Sequence, residues 1–509
     1  MSRLFVVAIG GTGSRVLKAL TMLLAAGVQT NKTYEVVPII IDPHTENKDL
    51  QRTERMLELY ERIRKKLDGD EGYFSTKILR LETLGEEART PANTYRFELT
   101  DMERPFKDYI GYDSLDQADK RLADFLFSGK SLDQRGDPIN LLDLNMNIGF
   151  VGNPHVGSIV LNQFQASEEY KLLTQSFNED DRIIIISSIF GGTGAAGFPI
   201  ILKNIREGNS TSNSSVLQNA KIGAITIMPY FKIMDDESSP IRYSDFIAKT
   251  KSALMYYKHN ITGREQPRLN VMYYLSDDKS TTPIGNDPGQ GGQQNDAHFI
   301  EFVAALGIFD FMNMPDDRLQ TEKGKAISPI YKHFGIKSDE RSVEFTHLDD
   351  HTIRQVYKPM LSLMMLEKYL KEALPHAVDS QVWSVDNTGG HTLNRRFFEA
   401  QGSFYDDLSN FLRGYKEWLN EMANNDRGFA PFSLGNQTTI ANVVKGQSAT
   451  RSRMMFLRAE VGYDEFNEAL NAASRNTPFK SAEHKFVKVF HQATTKMIDQ
   501  YYILQQARD

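Results

Sequence analysis

The sequence predicts an α/β protein with a parallel sheet, a helical insertion and a largely helical C-terminal region. Continuous apolar, β-branched runs, which are typical of parallel strands buried on both faces, lie at residues 4–9, 36–41 and 183–186. Helical segments alternate with these runs, which indicates βαβ units. Beyond residue 349 the pattern is mainly helical, at residues 352–374, 404–422 and 482–502.

The composition indicates a globular protein of more than one unit. The chain has 509 residues, which is more than one hydrophobic core usually supports. Hydrophobic residues make up 40% and charged residues 25% of it, as in globular proteins. The net charge of -7 argues against nucleic-acid binding, because phosphate contacts need a concentrated basic face. Cysteine is absent, which excludes disulfides, thiolate metal sites and a cysteine nucleophile and fits a reducing compartment.

The apolar N-terminal run is interpreted as a buried strand. It spans only residues 4–9 before glycines intervene. A signal-peptide core is longer than this, and a membrane span is far longer. We therefore expect no membrane span here and a cytoplasmic protein.

The remaining elements follow in order along the chain. The first strand leads through a glycine turn at residues 10–13 into a helix that reaches residue 26, and the second strand ends on Asp42. Residues 50–142 are charged and helix-periodic, so we interpret about 50–145 as a helical insertion. Further strands are predicted at residues 148–151, 183–188, 222–228 and 271–275, and helices at 198–206 and 298–311. Polar or glycine-rich composition predicts a turn at 209–215 and a flexible loop at 287–294.

Two strand–glycine–helix passages carry the chemistry. Their residues are Gly10, Gly11, Thr12, Gly13 and Ser14, and Gly191, Gly192, Thr193, Gly194 and Ala195. Glycines after a strand expose successive N–H groups, and the following helix adds its positive N-terminal end, which suits a phosphate. The hydroxyl groups add donors. Neither passage contains the lysine of a Walker loop, which argues against a Walker-type NTPase.

The first passage alone also fits a dinucleotide-binding unit. Asp42 ends the second strand, where an acid would bind the ribose. That interpretation predicts an NAD-dependent oxidoreductase. It does not account for the second glycine passage, and two such passages favour one nucleotide held by several loops of one sheet.

Four segments, taken in order, resemble the tubulin/FtsZ superfamily. The run from Gly191 to Gly197 resembles its GGGTGSG-type loop, and Gly152, Asn153 and Pro154 begin a segment that resembles the GNPExG loop around the terminal phosphate. Residues 9–14 match the first glycine loop of the family and Asp42 its second loop. The resemblance covers residues 1 to about 312 apart from the insertion, and it is nearest to divergent bacterial tubulin-like proteins.

The resemblance implies a ligand and a set of further site residues. It implies GTP or GDP with Mg²⁺, bound by a domain at residues 1–312 and followed by a mainly helical domain at 313–509. Asp277 lies where the family has an asparagine facing guanine, and a carboxylate can accept the N1–H and N2–H of that base. Asn295 and His298, at the start of the central helix, are expected close to the base. The eleven histidines show no metal-ligand spacing such as HExxH, so no protein-built metal site is predicted.

In the family, an acidic loop of a neighbouring subunit completes hydrolysis, so the resemblance implies filaments. The candidate acids are Asp316, Asp317, Asp349 and Asp350. An acidic pair in a loop is more often solvated surface, and no segment matches the family's acidic motif cleanly. The primary hypothesis is therefore a self-assembling GTPase, with two alternatives: a non-hydrolysing nucleotide-binding scaffold or regulatory protein, and the oxidoreductase. A protein partner would bind residues 50–145 or the C-terminal region.

Overall fold

The structure is a computed structural model of the chain. It describes residues 2–44, 46–67, 72–85, 95–132, 138–150, 152–207, 214–233, 243–263, 265–277, 283–284, 294–334, 341–387, 390–400, 402–435, 437–454, 457–475 and 478–502. The predicted loop at 287–294 lies outside these residues except for its last position, and so does most of the turn at 209–215.

Six parallel strands form the central sheet. They are β1 (Ser2–Ile9), β2 (Tyr34–Ile41), β3 (Arg182–Ser188), β4 (Lys221–Ile227), β5 (Val271–Leu275) and β6 (Ile330–Phe334). Their order across the sheet is β2-β1-β3-β4-β5-β6, and every neighbouring pair is parallel. Both β1 and β3 are buried along their whole length, as expected for strands built around the apolar runs 4–9 and 183–186. The predicted parallel α/β sheet is confirmed.

Within the residues that the structure describes, twelve helices have eight or more residues. They are α1 (Gly10–Ala26), α2 (Lys48–Lys65), α3 (Gln117–Phe127), α4 (Pro154–Leu161), α5 (Glu168–Ser176), α6 (Gly192–Glu207), α7 (Tyr243–Asn260), α8 (Phe299–Asn313), α9 (Asp350–Glu372), α10 (Phe404–Ala423), α11 (Tyr463–Ala473) and α12 (Ala482–Tyr501). Shorter helices lie at Phe106–Tyr109, Ser214–Gln218, Leu374–Ala377, Val382–Val385 and Arg395–Glu399.

Short strand pairs lie outside the central sheet. The antiparallel pairs are Ser128–Leu132 with Pro138–Asn140, Thr321–Glu322 with Lys325–Ala326, and Thr450–Met454 with Leu457–Glu460. The parallel pairs are Lys232–Ile233 with Pro283–Ile284, and Ser342–Val343 with Gly428–Phe429.

Two strand predictions need correction. The strand predicted at 148–151 is wrong for the described part, because Met146–Ile148 forms a 3-10 helix. β6 was not predicted, because it lies at the sheet edge and its side chains alternate between half-buried and exposed positions. Its polar Lys332 and His333 interrupt the apolar pattern by which the other strands were identified.

The insertion is only partly helical, which corrects the prediction for residues 50–145. α2 and α3 fall within or next to it, but the described residues between them form only turns, isolated bridges and helices of three or four residues. Ile78 makes a parallel bridge with Val36 of β2. Arg96 makes a second bridge with Ile40. This segment therefore runs along the free edge of β2 and covers it, which an unbroken helix could not do.

The C-terminal region is largely helical, as predicted, and it packs directly against the helices of the sheet layer. α10 lies against α2, and α9 lies against α1. Nearly all buried apolar side chains of the described residues form one contiguous cluster that includes both regions. The domain boundary at residue 312 stays a prediction, and β6 joins the central sheet from beyond it.

No helix in the described ranges is both long enough and apolar enough to cross a bilayer.

Candidate functional site

The carboxyl-terminal edge of the sheet contains a topological switch point. β2 lies on one side of β1 and β3 on the other, so the chain reverses its direction across the sheet after β2. Ligands of open α/β sheets bind outside the carboxyl ends of the strands at such a point. β1 leads directly into α1 at Gly10, and β3 leads into α6 at Gly192.

Three predicted segments meet at this point, and we call residues 10, 152–153 and 192–194 the glycine cluster. A β-carbon on Gly10, which has a φ of +72°, would lie 3.6 Å from the Cβ of Thr193. A β-carbon on Gly192 would lie 3.0 Å from the backbone nitrogen of Gly152 and 3.2 Å from that of Asn153. The structure therefore brings together segments that are far apart in the sequence.

Glycine is required in the cluster because the helices approach the strands closely. A β-carbon on Gly13 would lie 2.8 Å from the carbonyl carbon of Ala8. One on Gly194 would lie 2.7 Å from the carbonyl oxygen of Ser188. Side chains at these positions would push α1 and α6 away from the sheet. The glycine run also forms the first turns of α6, so this helix begins six residues earlier than the predicted start at residue 198.

Three helix N-termini converge on the glycine cluster, and they lack the residues that usually neutralise a helix start. α1, α4 and α6 have no acidic residue in the first turn, and neither α1 nor α4 has a side-chain cap. In contrast, capping side chains begin seven of the other long helices that the structure describes: Asn47 for α2, Asp116 for α3, Ser167 for α5, His298 for α8, Asp349 for α9, Ser403 for α10 and Ser481 for α12. Free N–H groups and the helix dipoles make this edge receptive to an anion.

The predicted hydroxyl donors differ in their surroundings. Thr193 is half-buried beside Gly10. Thr12 is buried, and the fully buried Ser14 donates its Oγ–H to the carbonyl oxygen of Gly10 at 3.3 Å. The other predicted site residues lie next to the glycine cluster. Gly11 and Gly191 are half-buried, Pro154 begins α4, and Ala195 donates its N–H to the Gly191 carbonyl at 3.2 Å.

Asp42 lies at the carboxyl end of β2, next to the switch point. Burial raises the pKa of its carboxyl group to about 7, although the His44 N–H donates to Oδ1 at 3.1 Å and Arg96 is nearby. This carboxyl group therefore changes charge near neutral pH.

The residues predicted close to the base are all engaged with protein groups. Asp277 forms a buried ion pair with Arg427 of the C-terminal region, with 3.2 Å between Oδ1 and Nε. Asn295 donates to Asp49 through its backbone N–H at 3.0 Å and its Nδ2 at 2.8 Å. His298 caps α8 by accepting the Ile300 N–H on Nδ1 at 3.1 Å, and burial lowers its pKa to about 3, so the ring is neutral.

A buried network beside the first glycine turn was not predicted. The guanidinium group of Arg15 donates to Asp49 at 2.9 Å and to Glu301 at 2.6 Å. It also donates to the hydroxyl oxygen of Tyr230 at 2.5 Å. Arg15 thus joins the starts of α2 and α8 to α1. The position of Arg15 directly after Ser14 was the only sequence signal, because Glu301 lies 286 residues away.

Lys249 of α7 was also missed by the sequence analysis. Its Nζ donates to the Gly152 carbonyl oxygen at 2.6 Å. A lysine inside a helix, outside any motif, carries no signal that would associate it with the glycine cluster.

Two of the candidate acids lie at the opposite edge of the sheet. Asp316 accepts hydrogen bonds from Arg182 and Lys221, both at 2.9 Å, and these residues begin β3 and β4. Although burial opposes it, these hydrogen bonds lower the pKa of Asp316. The adjacent Asp317 is exposed. Both acids therefore lie at the amino-terminal edge, away from the glycine cluster of the same chain.

The other two candidate acids lie at the start of α9. Asp349 is its N-cap and accepts the N–H groups of His351 and Thr352 at 3.0 and 3.1 Å. Asp350 is exposed and lies 4.0 Å from Arg354. Capping explains Asp349 without a catalytic role. Within the described residues, no group of three or more His, Asp or Glu side chains is placed to hold a metal ion.

The fold and this site define an α/β protein with an anion-receptive glycine cluster at the switch point of a parallel sheet. The chain is similar to three solved structures of CetZ and FtsZ proteins, which belong to the tubulin/FtsZ superfamily. CetZ from Methanosaeta thermophila strain DSM 6194 has 12% identity and a TM-score of 0.28, over 61% of this chain and 52% of that one. CetZ2 from Haloferax volcanii, in a GTPγS-bound protofilament, has 11% identity and a TM-score of 0.30, over 61% and 58%.

The third structure is an empty FtsZ dimer from M. jannaschii. It has 14% identity and a TM-score of 0.26, over 61% of this chain and 53% of that one. The chain thus spans little more than half the length of each of these structures. No protein-family model and no curated protein matches the chain. What this chain binds is therefore inferred from its own geometry.

Proposed function

We propose that this chain binds a nucleoside di- or triphosphate, with guanine the favoured base, at the glycine cluster. The observation that carries the proposal is the convergence of three helix N-termini without acidic first turns on one point of the sheet edge. Backbone N–H groups and aligned helix dipoles are the donors that phosphate oxygens accept from. The close packing at Gly13 and Gly194 holds these donors in fixed positions.

The segments would divide the phosphates among them. The N-termini of α1 and α6 would hold the inner phosphates, and Gly152 and Asn153 would contact the terminal one. Mg²⁺ would be bound mainly by phosphate oxygens and water, as it is in many nucleotide sites. Asp42, at the adjacent strand end, is the acid placed to bind a water ligand of the ion or the ribose.

Base recognition would involve Asp277, Asn295 and His298. Each of these side chains already has a protein partner, so a base must compete for it. We therefore expect phosphate contacts to supply most of the affinity, with only a modest preference for GTP over ATP.

Self-assembly is the second part of the proposal. Asp316 and Asp317 lie at the edge opposite the glycine cluster. A head-to-tail contact between copies, which is a heterologous interface, would bring this edge to the nucleotide of the next copy. Exposed Asp317 would then orient the attacking water, and the chain would act as a GTPase.

The non-hydrolysing scaffold remains a second candidate because of one observation. Asp316 is held by Arg182 and Lys221 in its own chain, which leaves only the exposed Asp317 of this pair as a candidate acid. A scaffold would bind a protein partner, and α3 of the insertion exposes Leu122, Phe125 and Leu126 for such a contact. The oxidoreductase alternative has less support. Dinucleotide folds have the strand order 3-2-1-4-5-6 and one glycine turn, whereas this sheet has the order 2-1-3-4-5-6 and two glycine turns.

A substitution of Gly192 by aspartate tests the nucleotide site. The carboxylate would enter the anion site, and its β-carbon would lie 3.0 Å from the Gly152 nitrogen. We expect calorimetric titration of nucleotide-stripped protein with GTP to show an affinity loss of at least about 100-fold, by analogy with a removed charged hydrogen bond plus like-charge repulsion.

Gly435→Asp is the matched control, because Gly435 is exposed and a β-carbon there would approach only the Thr438 Oγ1, at 3.7 Å. It makes the same charge change away from the cluster and should bind GTP like the parent. NAD and ATP are titrated in parallel. Binding of NAD without GTP or ATP would contradict the proposal and restore the oxidoreductase hypothesis.

A further inference from the structure

The three glycine segments contain no lysine or arginine. Residues 10–14, 152–157 and 191–195 supply backbone N–H groups, hydroxyls and one imidazole, that of His155. A nucleoside triphosphate carries several negative charges on adjacent phosphates. Helix dipoles offset only part of such a charge, since each contributes about half an elementary charge at its N-terminus. The positive charge that Mg²⁺ and the helix dipoles do not supply would have to come from residues outside the motifs.

Lys249 is placed to supply that charge. It lies in α7, is half-buried, and its Nζ donates to the Gly152 carbonyl oxygen at 2.6 Å. The backbone nitrogen of the same glycine faces Gly192, the first residue of α6. The ammonium group is therefore one peptide unit from the convergence of the helix N-termini. An ammonium group has three donors, so it can hold a carbonyl and a phosphate oxygen together.

The backbone of Gly152 supports this arrangement. Its φ of +69° belongs to the left-handed region, which glycine adopts readily. In this conformation the carbonyl oxygen is directed to Lys249 while the nitrogen lies by Gly192.

The charge of Lys249 acts on the same segment at a second position. The pKa of His155 is lowered by partial desolvation and by the positive charge of Lys249. His155 also stacks on Phe127 of α3, with 5.6 Å between ring centroids. Lys249 thus interacts with segment 152–157 at two places, the carbonyl oxygen of Gly152 and the imidazole of His155.

We propose that Lys249 contacts the terminal phosphate of a bound nucleoside triphosphate and makes the site prefer triphosphate over diphosphate. The proposal rests on the nucleotide-binding function proposed above and assigns the charge of that site to a residue outside its motifs. A diphosphate would leave the space beside Gly152 to water, so its affinity would depend little on Lys249.

The test compares Lys249→Met with Lys251→Met. Lys251 lies two positions away in α7, is exposed and loses the same charge. Calorimetry with GTPγS and with GDP gives the affinity of each variant. We expect Lys249→Met to bind GTPγS about 10- to 100-fold more weakly, the usual effect of one lost hydrogen bond to a charged group, and GDP nearly as the parent does. Lys251→Met should bind both like the parent.

Lys249→Arg keeps the charge and separates it from packing. With thermal unfolding unchanged, we expect this variant to retain the preference for GTPγS over GDP. A purely structural role of the hydrogen bond to Gly152 would not require that preference. Equal GTPγS affinity in Lys249→Met and Lys251→Met, with binding by the parent intact, would overturn the role of Lys249 and leave the proposed function standing. Failure of the parent to bind either nucleotide would defeat both proposals.

Discussion

At the residue scale, two buried charged groups beside the glycine cluster behave differently. Arg15 is compensated, because Asp49 and Glu301 accept from its guanidinium group. Asp42 forms no ion pair of this kind with the residues that the structure describes; the His44 N–H and the Arg96 guanidinium only partly offset its burial. The pKa of Asp42 is higher in the folded than in the unfolded state. At a pH between these two pKa values, the folded protein therefore keeps a proton on Asp42 that the unfolded chain has lost.

The stability of the fold should therefore depend on the ionisation of Asp42. Its pKa rises from 3.8 to about 7 on folding, so its contribution to the free energy of unfolding falls as the pH increases between these values. We expect Asp42→Asn to remove this dependence while the amide oxygen still accepts from His44. The difference in unfolding midpoint between variant and parent should then shift in favour of the variant from pH 5 to pH 8. Thermal unfolding at both pH values measures it.

Other titrating groups, including His298, are common to the two proteins and cancel in this difference. A difference that does not change with pH would mean that Asp42 is ionised throughout the interval.

At the element scale, the start of α6 shows how packing overrides local propensity. Glycines disfavour a helix interior, which is why the sequence placed the helix start at residue 198. The structure begins the helix at Gly192, because only residues without a β-carbon let it approach β3 and β1.

The buried strands were predictable from continuous apolar runs, whereas β6 was not, since its edge position allows polar residues. The Arg15 network was not predictable either, because its partners come from distant elements.

Gly194→Ala tests this packing. Its β-carbon would lie 2.7 Å from the Ser188 carbonyl oxygen, which is backbone and cannot move aside easily. We expect a loss of about 1–3 kcal/mol in the free energy of unfolding, as for overpacked sites, and weaker nucleotide binding as α6 shifts. Denaturant unfolding measures the first effect and calorimetry the second.

Gly307→Ala in α8 is the matched control. A β-carbon there would make ordinary contacts at 3.6 Å with Ile225 and Tyr273, so we expect it to stabilise the protein by up to about 1 kcal/mol through helix propensity. If Gly194→Ala stabilised the protein as well, the close approach of α6 to β3 would be wrong.

At the scale of the whole molecule, the two edges of the sheet carry complementary groups. The carboxyl-terminal edge has the glycine cluster. The amino-terminal edge has exposed Asp317 and Asp316, which Arg182 and Lys221 hold at the starts of β3 and β4. Acids at one edge and an anion site at the other cannot act together within one chain. They can act together between copies stacked head to tail, so hydrolysis by this arrangement would require assembly.

Asp317→Asn separates the GTPase from the scaffold. Asp317 is exposed, whereas Asp316 is engaged in ion pairs whose loss would disturb the sheet edge. If Asp317 orients the attacking water of a neighbouring copy, the variant should bind GTP with unchanged affinity and lose turnover by at least about 100-fold, a typical effect of removing such a group.

Glu322→Gln is the control for this prediction. It removes an exposed carboxylate in the following short strand and should leave turnover unchanged. Turnover per chain in the parent should also rise with protein concentration, because the site is completed only by a second copy. Tight GTP binding with no turnover at any concentration would instead identify the chain as a non-hydrolysing scaffold, in which Asp316 serves only to pair with Arg182 and Lys221.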